Sequence, residues 1–241
     1  MEAYLDRCGA LTERAACTAE ALRAAGDGMA AEAIEGLIVH ARRQMDQVKR
    51  RLLLGETIPH EEKVFSIFEP HTRWVSKGKA GTPVELGVPV ALIEDQHGFV
   101  LHHEVLWTGG DADAVVPLVA AAQKRFPALR ACSFDRNFHS PENRVRLDEL
   151  LDLNALPKKG YLSVADRERE TDEAFVSARR AHPAVESAIN ALEHRGLDRV
   201  RSRGAEGFER TVALSVLAGN LHRLGRLLHA LERKRRRPRA A

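Results

Sequence analysis

Asp135 and Glu186 are acidic residues whose positions in the chain suit metal-dependent chemistry. Asp135 ends an apolar stretch, residues 128–134, which reads as a β-strand. In open α/β sheets, ligand-binding residues collect at the carboxyl ends of strands. Glu186 lies farther along the chain, on a predicted helix that begins near Pro183. Two neighbouring carboxylates repel each other unless a cation lies between them. Such a pair is typical of sites that hold Mg²⁺ or Mn²⁺ for phosphoryl transfer.

Each acidic residue also has a purely structural interpretation. Asp135 precedes a polar segment and can cap the turn into the next helix. Glu186 shares one predicted helix face with Asn190 and Glu193, and such a stripe of polar side chains commonly faces solvent. The hypothesis of a metal site therefore depends on the two carboxylates meeting in one cleft.

The elements that must position these residues differ between the two ends of the chain. Residues 1–54 are rich in Ala, Leu, Arg and Glu, and their apolar residues recur at helical spacing. The segment at residues 25–28 breaks that pattern and supplies Asp27 as a helix cap. We therefore predict a helical hairpin at the amino terminus.

The middle of the chain has the pattern of an α/β layer. Strands are predicted at residues 63–68, 84–93, 99–107, 128–134 and 153–157, the second and third of them forming a hairpin. Helices are predicted between these strands at residues 111–126 and 140–151, followed by a charged, exposed stretch at 161–180. Two further helices are expected, at 183–193 and 208–231. The fold class is thus α/β, with a mixed sheet flanked by helices.

Composition narrows the class of protein. The chain has 241 residues, 44% hydrophobic and 29% charged, which is the mix of a folded domain rather than a disordered one. No apolar run reaches the ~20 residues of a membrane span, so we expect a cytoplasmic protein without a membrane partner. The three cysteines have no zinc-site spacing. The net charge is only +3, but arginine and lysine cluster at residues 231–239, which suits either a polyanion or a solubilising tail.

Several separated motifs resemble one family, the ISNCY-type group of bacterial insertion-sequence transposases with a DDE domain. The first motif is at residues 63–74, KVFSIFEPHTRW, with SKGK at 76–79. The others are CSFDRNFHS at 132–140, LPKKG at 156–160, HPAVESAIN at 182–190 and EHRGLDR at 193–199. The likeness runs from about residue 60 to 226, which is most of the chain.

The resemblance implies an RNase H-like fold and metal-dependent cleavage and strand transfer at the ends of an insertion sequence. It places the family's second and third acidic positions on Asp135 and Glu186, as the catalytic and metal-binding residues. The implied cofactor is Mg²⁺ or Mn²⁺. The implied partner is double-stranded DNA, at the element's ends and at the target, and a homo-oligomer is left open. The residues expected to contact the DNA backbone are Arg136, Lys158, Lys159, Arg195 and Arg199.

One departure from the family pattern qualifies these expectations. The family's first aspartate lies on a first strand, and no strand ending in Asp precedes Lys63 here. We therefore expect a helical segment at 1–58 that is part of an insertion, an RNase H-like domain at 59–230 without its first strand, and a basic tail at 231–241. Such a chain, alone, is expected not to transpose DNA. Asp95 is a weak substitute, because it belongs to a hairpin turn.

Three functional hypotheses stay open at this point. The chain is an incomplete DDE transposase, a non-catalytic DNA-binding protein, or a metal-dependent nuclease that cuts without joining. His97, His102 and His103 do not add a metal site, because strand alternation puts His102 and His103 on opposite faces.

Overall fold

A computed structural model describes residues 2–59, 62–76 and 84–236. The chain divides into two units, Met1–Val88 and Pro89–Ala241. Motif residues 77–79 and positions 237–241 of the basic tail lie outside the described residues. Within the described ranges, no helix is both long enough and apolar enough to cross a membrane.

Two long helices, α1 (Glu2–Ala24) and α2 (Gly28–Leu52), form the hairpin that the sequence predicted. Small residues allow the helices to pack closely, since Ala19 and Ala31 are both buried. The Asp27 carboxylate accepts a hydrogen bond from the Ala30 N–H at 3.1 Å, which confirms Asp27 as the cap of α2. Across the hairpin, Arg23 and Glu35 form an ion pair at 2.7 Å.

The strand predicted at residues 63–68 is wrong. The backbone there is irregular, because the hydrogen-bonding groups of Val64 pair with a side chain and not with a second strand. The Val64 N–H donates to the Gln47 Oε1 at 2.8 Å, and Gln47 Nε2 donates back to the Val64 carbonyl. The strands of this unit lie later, at β1 (Arg73–Ser76) and β2 (Val84–Gly87), and they pair antiparallel.

The second unit begins with the predicted hairpin, made of β3 (Val90–Glu94) and β4 (Val100–Val105). The strand predicted at 84–93 is split, since β2 ends at Gly87 and β3 begins after Pro89, which cannot donate a ladder hydrogen bond. The elements that follow, α3 (Asp111–Arg125), β5 (Ala131–Ser133), α4 (Pro141–Leu150) and β6 (Leu153–Ala155), confirm the order that the sequence predicted. Strands β5 and β6 pair in parallel.

Four α-helices follow among the described residues of the unit. They are α5 (Val164–Thr171), α6 (Glu173–Ala181), α7 (Pro183–Leu192) and α8 (Gly204–Arg236). The expectation that residues 161–180 are merely exposed is wrong at two positions. Asp166 and Phe175 are both buried, Asp166 within a group of polar partners and Phe175 beneath the Arg169 guanidinium.

One apolar cluster joins the elements of the second unit. It combines residues of the β3–β4 hairpin with the inner face of α3, the segment after β5, and α4, and its fully buried members include Val119, Leu147 and Leu156. The α/β class is therefore confirmed. In place of a continuous mixed sheet, the described strands form three separate two-stranded sheets. These strands are only three to six residues long.

Candidate functional site

Asp135 lies where the sequence placed it, just beyond the end of β5. Phe134 between them is buried in the core, and Asp135 is exposed. Its Oδ1 accepts a hydrogen bond from the Asn137 N–H at 2.7 Å and so caps a short 3-10 turn, Arg136–Phe138. No residue in the described part of the chain bonds to Oδ2. The structural role proposed for Asp135 is therefore real, and one carboxylate oxygen is left for a ligand.

A buried amide holds the turn that follows Asp135. Asn143, on the first turn of α4, donates from Nδ2 to the carbonyl of Phe138 at 2.9 Å and to that of Ala112 at 2.6 Å. Its own N–H donates to the Ser140 hydroxyl, which caps α4. Asn143 is only 8% exposed, so these bonds are shielded from water. The Asp135 turn is thereby fixed to both α3 and α4.

A second connection ties β5 to the beginning of α7, which carries Glu186. The Ser133 hydroxyl and the His182 Nδ1 are 3.0 Å apart and share a hydrogen bond. The Arg179 guanidinium, at the end of α6, donates to the Phe134 carbonyl at 2.5 Å. Because Glu186 follows His182 by one helical turn, these two bonds hold the start of α7 against the segment that leads to Asp135.

Both acidic residues affect the pKa of His182. Burial and the nearby Arg179 guanidinium lower the pKa of His182, and the carboxylates of Asp135 and Glu186 partly offset that shift. Asp135 and Glu186 therefore both lie within electrostatic range of the same imidazole. His182 is therefore biased toward its neutral form.

Arginines line a cavity beside this group. The cavity has a volume of about 330 Å³ and is walled by Arg136, Pro157, Glu170, Phe175, Val176, Arg179 and Arg180. Three guanidiniums around one cavity provide planar donors that match the oxygens of a phosphate. Glu170 is already engaged, because its Oε1 accepts the Lys158 N–H at 2.7 Å.

The other cations expected to contact DNA have different surroundings. Lys159 and Arg199 are exposed, and so is Arg195, which donates to the Ala191 carbonyl and contacts His222. Lys158 is half-buried, and its ammonium lies 2.5 Å from Asp166. That contact leaves Lys158 less available to a phosphate than its exposed neighbour Lys159.

Asp166 is a structural centre that the sequence did not reveal. Its carboxylate accepts hydrogen bonds from Lys158, from the Ser163 hydroxyl and N–H, and from Arg144 at 2.5 Å. The Lys158 ammonium, the Ser163 hydroxyl and the Arg144 guanidinium, in that order, hold the pKa of Asp166 far below its usual range. The carboxylate stays ionised and joins α4, α5 and the segment after β6.

The described residues contain no group of three or more His, Cys, Asp or Glu side chains that could hold a metal ion. Asp95 has a turn role, since its Oδ1 accepts the N–H groups of His97 and Phe99 at 2.8 and 2.9 Å. Burial lowers the pKa of both His102 and His103, which are successive residues of β4. Mg²⁺ sites in proteins often use only one or two carboxylates, with phosphate oxygens and water as further ligands.

Comparisons of the chain with protein families, with curated proteins and with solved structures give no match. The site is therefore defined by its own geometry. Sequence reasoning missed the roles of Ser133, His182, Arg179 and Arg180. The adjacency of His182 to Pro183, at the start of the Glu186 helix, was the one available signal for His182, whereas the two arginines look like ordinary surface cations.

Proposed function

We propose that this chain carries the phosphodiester-processing site of a DDE-type insertion-sequence transposase, on an RNase H-like arrangement of its second unit. The observation that supports the proposal most is that the Ser133–His182 hydrogen bond links β5, which leads to Asp135, with the start of α7, which carries Glu186. The order of strands and helices, and the sequence motifs that contain these residues, support it as well.

The donor set fits a divalent cation of the Mg²⁺ type. Asp135 offers an oxygen that is not used for capping, and Glu186 is exposed on the first turn of α7. When bound, such a cation supplies an activated oxygen nucleophile and stabilises the leaving oxygen. Two carboxylates alone would hold such a cation weakly, so oxygens of the DNA itself would have to complete its ligand set.

The chain's own residues then orient the DNA. Arg136, Arg179 and Arg180 can hold phosphate oxygens at the cavity beside Asp135. Lys159, Arg195 and Arg199 are exposed cations that would contact the DNA backbone without reading its sequence. His182, biased toward its neutral form, holds α7 through Ser133 and adds no full positive charge that would compete with a cation.

A metal-binding experiment tests the proposal without requiring the terminal-repeat sequence. Paramagnetic Mn²⁺ titrated into the full chain is expected to broaden the NMR signals of the His182 imidazole before those of His229, an exposed histidine on α8. Asp135→Asn and Glu186→Gln are each expected to weaken that effect by at least about tenfold in Mn²⁺ concentration. Glu149→Gln, which removes an exposed carboxylate from α4, is the matched control.

Equal broadening in wild type and both variants would refute the metal site. DNA assays then separate the three functional classes. Joining of a labelled 3′-hydroxyl end to plasmid DNA identifies an active transposase and refutes the expectation that the chain is inactive alone, whereas nicking without joining identifies a nuclease. The metal effect at His182 with neither reaction identifies an incomplete transposase. DNA binding that neither variant weakens, together with no metal effect at His182, identifies a non-catalytic DNA-binding protein. In each case, affinity for DNA must fall steeply with salt.

A further inference from the structure

Helix α8 has an unusual distribution of leucines. It contains Leu214, Leu217, Leu221, Leu224, Leu228 and Leu231, which are 43–64% exposed. Their spacing alternates between three and four residues without a break. This is the heptad pattern of a coiled coil, with leucine at every a and d position. A lone surface leucine needs no explanation, but a continuous stripe on one helix does.

The opposite side of α8 is already used inside the unit. Val212 and Val216 are buried, and Gly219 lies so close to Leu192 that a Cβ there would be 3.2 Å from the Leu192 Cδ2. Asn220 bonds both backbone groups of Val100 on β4, each at 2.9 Å. The helix is therefore held by one face, and among the described residues the leucine stripe has no partner.

We propose that the leucine stripe of α8 pairs with the same stripe of a second copy of this chain. A heptad seam is self-complementary, so two copies related by a two-fold axis can insert their leucines between each other. Helix α8 is 33 residues long, or about 50 Å, and the leucine stripe occupies about 26 Å of it.

The area available is close to what a specific dimer needs. A half-exposed leucine offers roughly 90 Å² of apolar side chain, so the six leucines of both copies remove about 1,100 Å² from water. Leu227 and the small residues beside the seam add to this total. Stable protein interfaces begin at about 1,200 Å². The stripe is thus large enough for a dimer at micromolar concentration.

The charges on α8 select the antiparallel arrangement. Arg233, Lys234 and Arg235 follow the last leucine of the stripe. In a parallel pair, these cations of both copies would lie side by side and repel each other. In an antiparallel pair they are separated by the length of the seam, about 26 Å, well beyond the ~8 Å screening length of physiological salt.

The test measures the mass of the full chain in solution. By sedimentation equilibrium, the wild type is expected to show twice the mass of the chain, with a Kd of about 10 µM or lower. Leu221→Glu places a charge in the centre of the seam and is expected to raise that Kd by at least about 100-fold. His229→Glu adds the same charge on an exposed residue outside the stripe and should leave the Kd unchanged.

A second variant separates loss of the interface from loss of the fold. Leu228→Glu, one heptad farther along, must also yield monomers, while the helical circular dichroism and the tryptophan fluorescence of both variants stay those of the wild type. A wild type that is monomeric at 100 µM overturns the proposal, and so does a dimer that survives either leucine variant.

Cross-linking tests the orientation of the two helices. With Cys8 and Cys17 replaced by serine, Leu231→Cys alone should not form a disulfide dimer, whereas a mixture of Leu214→Cys and Leu231→Cys chains should. Efficient cross-linking of Leu231→Cys alone would overturn the antiparallel arrangement. None of these measurements uses DNA or a metal, so this proposal can fail or succeed independently of the proposed function.

Discussion

Replacing Asn143 with alanine should release the turn that carries Asp135. The Asn143 side chain donates two hydrogen bonds, to Ala112 and to Phe138, and neither acceptor is part of α4. The substitution leaves the helix cap in place, because Ser140 is bonded by the backbone N–H of residue 143. The change therefore removes the connection between α4, α3 and the turn without removing α4 itself.

The magnitude follows from the burial of these bonds. Each buried amide hydrogen bond contributes about 0.5–1.5 kcal/mol net, and a carbonyl left without a donor adds a penalty of about 1 kcal/mol or more where water cannot reach it. With Asn143 only 8% exposed, we expect a loss of about 2–3 kcal/mol in the free energy of unfolding of the second unit.

Fluorescence can report on that unit alone. The chain has two tryptophans, and only Trp107 lies in the second unit, where it packs edge-on against Phe208. In a Trp74→Phe background, urea unfolding followed by Trp107 fluorescence therefore measures the second unit. Asn143→Asp provides a second variant, because it keeps the shape but turns a carboxylate toward two carbonyls, and it should cost at least as much.

Asn137→Ala is the matched control. It removes an amide from the same turn, but the contact of Asn137 with Asp135 is made by its backbone N–H, which the substitution retains. We expect a change within about 0.5 kcal/mol, as for other exposed positions. If Asn143→Ala were no more destabilising than Asn137→Ala, the claim that Asn143 anchors the turn would be refuted.

Three further predictions concern titrating groups. Asp135→Asn and Glu186→Gln should each lower the pKa of His182 in an NMR titration, since both carboxylates raise it, and no change in either variant would mean that the two acidic residues do not share its surroundings. Burial lowers the pKa of His102, His103, His139 and His182 below 6.5, so the unfolded chain binds more protons and stability should fall as the pH drops below 6.5. His182→Asn should make that loss of stability smaller, measured as the difference between the urea midpoints at pH 7.5 and pH 5.5. An unchanged difference would contradict this prediction. Burial raises the pKa of the Cys132 thiol to about 11, so at pH 8 a thiol reagent should label exposed Cys17 much faster than Cys132.

Elements whose signals are local could be predicted from the sequence. The Asp27 cap is determined by a few neighbouring residues, and α4, predicted at residues 140–151, was placed within one position at each end. The β3–β4 hairpin was also predicted, since its turn lies between two apolar strands. Propensity and capping act over one or two turns, and that is the range over which a sequence pattern is informative.

Elements whose state depends on distant partners could not be predicted. Residues 63–68 have the alternation of a strand, but Gln47 of α2 takes the backbone groups of Val64. Asp166 lies in a run of charged residues that looks solvated, and it is buried because Arg144 and Lys158 converge on it. Neither pairing can be inferred from the residues that are its neighbours in the sequence.

The candidate site shows the same division. Asp135 could be located from the end of its strand and Glu186 from its helix, and their use in metal-dependent chemistry stays a prediction. The Ser133–His182 bond, which links the segments that carry them, joins residues far apart in the chain. The arginines that line the cavity can be recognised as one group only from the packing of α6 beside β5 and the turn after it.

The two roles of Asp135 are compatible, and together they determine how its chemistry should be probed. Capping uses Oδ1, which fixes the direction of the carboxylate, and it leaves Oδ2 without a bond from the described residues. An Asp135→Ala variant would lose the cap and the charge together, so a loss of metal binding would have two explanations. Asparagine keeps an oxygen that can accept the Asn137 N–H and removes only the charge. If Asp135→Asn retains the stability of the wild type but loses the Mn²⁺ effect at His182, the carboxylate acts as a ligand and not merely as a cap.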